Sequence, residues 1–125
     1  MQDNIKRVSY SWTSDASGAW SATITNGDLN GIICRVTTIP SAASGKVPSS
    51  YNLTLVDLDS IDVLQGIGAS RSATLTEQVV PLLPFVSSGV TVAYAPIACD
   101  GQVTVTIAGA GNTKSGKIIF HLKKG

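Results

Sequence analysis

The sequence predicts an all-β protein, a single-domain antiparallel β-sandwich or flattened barrel of about eight strands spanning residues 1–125. Three observations carry that expectation. Val, Ile and Thr number 12, 11 and 12 among the 125 residues, whereas Glu, a common residue of helix surfaces, occurs once. Apolar residues alternate with polar ones at period two over several stretches. Turn-forming residues separate those stretches at intervals of about ten residues, and no crossover segment is long enough for a parallel βαβ unit.

The first run places Val8, Tyr10 and Trp12 on one face and Arg7, Ser9, Ser11 and Thr13 on the other. Ser14-Asp15-Ala16-Ser17-Gly18 then reads as a hairpin loop, because Asp supplies side-chain acceptors and Gly a positive φ. Trp20, Ala22 and Ile24 alternate with Ser21, Thr23 and Thr25, and Asn26-Gly27-Asp28 ends that strand. Gly31 to Thr38 is continuous and apolar at Ile32-Ile33-Cys34, the pattern of a strand covered on both faces. Residues 39–50, which include Pro40, Gly45 and Pro48, read as a surface loop. Tyr51, Leu53 and Leu55 face inward against Asn52 and Thr54, with the strand stopping at Asp57.

A short segment at Ile61 to Leu64 precedes the glycines Gly66 and Gly68, and Ala69 to Thr76 has the small, polar composition of a conforming loop. Asp62 to Gln65 and Ser70 to Thr76 are compatible with short helical turns. Glu77 to Pro84 resumes as an edge strand, since Pro81 and Pro84 have no amide hydrogen to offer a ladder. Val90, Val92 and Tyr94, then Val103, Val105 and Ile107, and finally Ile118, Phe120 and Leu122 mark the inward faces of the last strands. Tyr10, Trp12, Trp20, Tyr51, Phe85, Tyr94 and Phe120 are the expected aromatic anchors of the core.

Charge narrows the function classes. Nine Lys and Arg against eight Asp and Glu leave a net charge of +1, so no global field draws in nucleic acid or anionic lipid. The longest apolar stretch, Val79 to Val86, is interrupted by two prolines and falls far short of the roughly 20 residues that span a bilayer. Met1 to Val8 lacks the apolar core of a secretory leader, and the expectation is a chain not exported by the general route. Cys34 and Cys99 lie in no metal or redox spacing and are expected to be buried thiols.

Few residues suggest chemistry. Asp57, Asp59 and Asp62 put three carboxylates in one loop, as a hard cation such as Ca²⁺ requires, but the EF-hand glycine and distal Glu are absent. A turn capped by Asp side chains is the favoured reading, with no metal and no cofactor expected. Gly66-Ile67-Gly68-Ala69-Ser70-Arg71-Ser72 resembles part of a phosphate loop yet lacks its Gly-Lys-Ser/Thr ending; the glycines read instead as an exit into a flexible arm. His121, the single histidine, has no marked nucleophile or orienting acid, so no enzyme activity is expected. The lysines Lys114, Lys117, Lys123 and Lys124 read as edge-strand solubility devices.

Tyr51-Asn52-Leu53-Thr54-Leu55-Val56-Asp57, Ile61-Asp62-Val63-Leu64-Gln65-Gly66-Ile67-Gly68-Ala69, Glu77-Gln78-Val79-Val80-Pro81 and Gly116-Lys117-Ile118-Ile119-Phe120-His121-Leu122 together resemble a family of small tailed-bacteriophage virion structural proteins. One departure is Leu58-Asp59-Ser60, where that family has an Asp-Gly turn. The resemblance implies a protein that decorates or cements the capsid by bridging neighbouring capsomers. Its partners would be the major capsid protein or other virion proteins, its location the phage head after assembly in the host cytoplasm. It would act as a homo-oligomer, a trimer at capsid three-fold positions, and contact neither nucleic acid nor membrane directly. Expected contact arms are residues 1–7, 39–50 and 66–76, with Gly66, Gly68, Ser70, Arg71, Ser72, Leu82 and Phe85 as contact residues, and strand addition at open edges contributing. Two alternatives stand beside it: a head-to-tail connector, neck or tail module, and a carbohydrate- or receptor-binding sandwich in which Trp12 or Trp20 stacks on a sugar.

Overall fold

The computed structural model describes residues 5–25, 28–41, 45, 47–87, 91–96, 98, 99 and 101–123, with the backbone alone described over 82–87, 91–96 and 98. The strands are β1 (Ile5–Thr13), β2 (Trp20–Ile24), β3 (Gly31–Pro40), β4 (Asn52–Val56), β5 (Glu77–Val79), β6 (Leu82–Ser87), β7 (Thr91–Pro96), β8 (Ala98–Cys99), β9 (Val103–Ala108) and β10 (Ser115–Lys123). No helix occurs among the described residues. The architecture is an all-β sandwich of two antiparallel sheets. One has the order β1-β10-β3-β5, with β8 also on β3; the other is β2-β9-β4.

Period-two burial follows the sequence. In β1, Val8, Tyr10 and Trp12 turn inward while Arg7, Ser9 and Ser11 are exposed. In β10, the row Ile118, Phe120 and Leu122 is completely buried, and β4 and β9 supply Leu53, Leu55, Val103, Val105 and Ile107 from the facing sheet. Two aromatic contacts tie this interior: Trp12 against Tyr51 with centroids 5.2 Å apart, and Tyr10 edge-on to Phe120 at 6.1 Å. Cys99 is buried, as expected, whereas Cys34 is half-buried, because it sits where the β3–β10 register slips between His121 and Leu122.

Strand pairing departs from the sequence reading at the first turn. β1 does not pair with β2: it lies on β10, with Val8 opposite Phe120, while β2 lies on β9. Residues 14–19 therefore form a corner between the sheets, not a hairpin. Asp15 builds it, its Oδ1 accepting bonds from the amides of Ser17 at 2.9 Å and Ala19 at 3.0 Å. The buried Ser14 hydroxyl donates to the Gly111 carbonyl at 2.6 Å, and the Lys114 amide donates to Ser14 Oγ at 2.8 Å, locking the corner to the β9–β10 connection.

The expectation of a flexible arm over residues 66–76 is corrected for residues 66–72. The backbone of this segment is bonded to β4 and its approach: Leu53 N–H donates to the Gly68 carbonyl at 2.8 Å, Arg71 N–H to the Tyr51 carbonyl at 2.6 Å, and Tyr51 N–H to the Arg71 carbonyl at 3.1 Å. Ser70 N–H donates to Asn52 Oδ1. Leu64 is fully buried and Ile67 and Ala73 pack on the core. The glycines allow contact here: a Cβ on Gly68 would overlap the Leu53 carbonyl. Of the other proposed arms, residues 1–4, 42–44 and 46 lie outside the described residues.

The edge of the larger sheet carries an insertion. β5 pairs with β3 over Val36 to Thr38, and β8 pairs with the same edge at Gly31 and Ile32. Between these two short strands the chain leaves the sheet as the β6–β7 hairpin, in register from Leu82 opposite Pro96 to Ser87 opposite Thr91.

Candidate functional site

Asp57 and Asp62 serve the turn after β4. Asp57 Oδ1 accepts from the amides of Asp59 at 2.9 Å and Ile61 at 3.1 Å. Asp62 Oδ1 accepts from Leu55 and Leu64, and its Oδ2 from Gly66, each at 3.1 Å. Both carboxylates thus satisfy backbone donors, the role that short acidic side chains play in turns. Among the described residues no three His, Cys, Asp or Glu side chains gather as a metal site would require. Leu58 and Ile61 in the same turn are exposed.

The Gly66–Ser72 loop is no phosphate cradle. Its amides at Gly66, Ser70, Arg71 and Ser72 are committed to Asp62, Asn52, Tyr51 and Glu77. Arg71 lies 3.6 Å from the Glu77 carboxylate and donates to the Ala69 carbonyl.

The β6–β7 hairpin, which contains the expected contact residues Leu82 and Phe85, has an unusual composition. No Asp, Glu, Lys, Arg or His occurs between Glu77 and Asp100. Its register places Leu82, Pro84, Val86, Val92, Tyr94 and Pro96 on one face, and Leu83, Phe85, Ser87, Thr91, Ala93 and Ala95 on the other. The first face is apolar throughout, and the second is apolar except where Ser87 lies opposite Thr91. Pro84 and Pro96 lack amide hydrogens, so each can sit only where its nitrogen points away from the partner strand. Both hairpin edges consequently miss a donor at these positions, which disfavours addition of a further strand to the hairpin.

The outward face of the β1-β10-β3 sheet is the strongest electrostatic feature. Arg7, His121 and Arg35 are successive cross-strand neighbours, with Lys117 and Lys123 on the same side of β10. No carboxylate shares that face among the described residues. Arg35 Nε donates to His121 Nδ1 at 3.2 Å. Desolvation by burial, followed by the charges of Arg35 and Arg7, holds the His121 pKa below its ordinary value of 6.5. The sign follows: above about pH 6.5 the ring is neutral in folded and unfolded chains alike, and as pH falls below that value the unfolded chain takes up the proton first, so stability declines. An NMR titration of this single histidine is expected to give a midpoint below 6.5, which Arg35→Gln moves upward. An unshifted midpoint in the parent chain would contradict the arrangement.

Two open grooves complete the surface. One, of about 340 Å³, lies at the end of the larger sheet between Thr13, Pro40 and Gly116. The other, of about 230 Å³, is bordered by Trp20, Asp15, Thr104 and Thr106. Trp12 is only 1% exposed, which removes it as a platform for a sugar. Trp20 is half-buried.

By fold the chain is an antiparallel β-sandwich protein. No known protein-family model matches it, and no curated protein is similar to it in sequence.

Proposed function

We propose that the chain is a bacteriophage virion structural protein that decorates or cements the head by bridging neighbouring capsomers, with the major capsid protein as its principal partner. The observation that carries this reading is the β6–β7 hairpin: an uncharged, largely apolar two-stranded element inserted between β5 and β8 at the edge of a folded sheet. A two-stranded ribbon is marginal in water, and its stability requires cover from something else. A partner surface would supply such cover. The resemblance of Tyr51–Asp57, Ile61–Ala69 and Glu77–Pro81 to small tailed-bacteriophage virion proteins supports a capsid partner, and many copies on a capsid lattice would turn a small contact into firm attachment.

The test is binding to purified heads. A chain in which residues 83–95 are replaced by Asn-Gly is expected to keep its cooperative unfolding and to lose attachment. Phe85→Lys and Val86→Lys, one for each hairpin face, are expected to weaken it separately. Undiminished attachment of all three would defeat the reading, and density for the chain only at the tail vertex would move it to a connector.

A further inference from the structure

On the outward face of β1, β10 and β3 the exposed Arg7 and Arg35 flank His121, whose lowered pKa leaves the ring uncharged at neutral pH. Two guanidinium groups thus stand two strands apart, and like charges on one face of a sheet repel. Among the described residues no ion pair offsets this: the pairs are Lys6 with Asp28 and Arg71 with Glu77, neither of which involves this face. Only positive charges act on His121. The face also carries apolar side chains in the open, Ile5 at 47% and Ile32 at 38% exposure.

Its complement is present elsewhere in the same chain. The Asp57–Asp62 turn interleaves carboxylates with Leu58, 70% exposed, and Ile61, 51% exposed. Asp57 and Asp62 hold the turn in shape through backbone bonds, so it is presented as a fixed acidic and apolar knob.

We infer that the partner of the basic face is a second copy of this chain, whose Asp57–Asp62 turn docks against Arg7, His121 and Arg35. This deepens the assembly reading above and rests on it for its setting. The two patches are different surfaces, so the contact is heterologous and builds rings or open chains of copies. A protein surface fits better than nucleic acid, because isoleucines and no aromatic rings accompany the charges, and stacking on bases needs aromatics. Ile119 and Thr37, paired on the same side one step along, are buried, so the open patch is confined to the end of the sheet around Arg7, His121 and Arg35. It falls well short of the about 800 Å² per partner of a firm interface, so the free protein associates weakly and the contact strengthens in an array.

Sedimentation velocity on the full chain at high concentration tests this. Association is expected in about 0.01 M NaCl and is expected to weaken at least about tenfold toward 1 M, where the screening length shrinks to about 3 Å. Arg7→Glu/Arg35→Glu alone and Leu58→Lys/Asp59→Lys alone are each expected to stay monomeric, with Lys117→Glu/Lys123→Glu as a second basic-face variant should the first not fold. An equimolar mixture of the first two is expected to associate, since the intact knob of one variant meets the intact face of the other. A monomeric parent chain at low salt, variants that associate like the parent, or a mixture that stays monomeric would overturn the inference. So would a parent chain that remains monomeric and binds a DNA oligonucleotide through Arg7 and Arg35. Association without attachment to heads would overturn the virion reading alone; attachment without association would overturn this contact alone.

Discussion

Phe120→Ala is expected to lower the unfolding free energy by about 3–5 kcal/mol. Phe120 is fully buried in β10, the strand hydrogen-bonded between β1 and β3. Its ring meets the edge of Tyr10 and belongs to the same buried cluster as the residues of the opposing sheet. Truncation removes that apolar area from the core and leaves a cavity that β1 and β3, both held to β10 by long ladders, cannot close by moving. A domain of this size has about 5–15 kcal/mol in total, so the variant sits near the limit of folding at 37 °C. Urea unfolding should show a lower midpoint with the slope unchanged. Lys117→Ala, exposed on the same strand, should change stability by no more than about 0.5 kcal/mol. A loss below about 1 kcal/mol for Phe120→Ala would mean the two sheets do not close over this residue.

Gly68→Val is expected to cost about 3 kcal/mol, and Gly66→Ala about 1 kcal/mol, for different reasons. Gly68 lies so close to β4 that any Cβ would run into the Leu53 carbonyl, a backbone atom that cannot swing aside. Relief requires the 66–71 segment to lift from β4, which breaks the Leu53 to Gly68 hydrogen bond and disturbs the paired bonds between Tyr51 and Arg71. Gly66 has open space around its Cα but a φ of +81°, so its substitution meets backbone strain without collision. Hydrogen exchange at the Leu53 and Arg71 amides should accelerate in the Gly68 variant and change little in the Gly66 variant. Equal effects on both would show that the segment is not stitched to the strand.

These two sites differ in how far they were legible. Phe120 is marked inward by its neighbours Ile118 and Leu122 at period two, because side chains of an extended strand alternate whatever the strand pairs with. Gly68 gives no such mark. Glycine signals conformational freedom and close approach equally well, and here the close approach to Leu53 is what matters. The three aspartates illustrate the same limit: the sequence shows carboxylates in one loop, but only the bonds of Asp57 and Asp62 to backbone amides distinguish a cap from a ligand set.

The basic face was partly visible. Lys117, His121 and Lys123 share a side of β10 by simple counting. Arg7 and Arg35 join them only because β1 and β3 flank β10, pairings between residues far apart in the chain.

That the chain is all-β, and which side of β1, β2, β4, β9 and β10 faces the core, follow from local pattern in the sequence. Only the folded structure reveals that β1 turns away from β2 to lie on β10, that residues 68–71 are bonded to β4 and its approach, and that a hairpin leaves the sheet between β5 and β8. The physical reason is that every strand offers the same row of amides and carbonyls on its edges. Local sequence cannot label which distant row will meet it; corner bonds such as those of Asp15, the shape of the closed core and the placement of prolines make that choice.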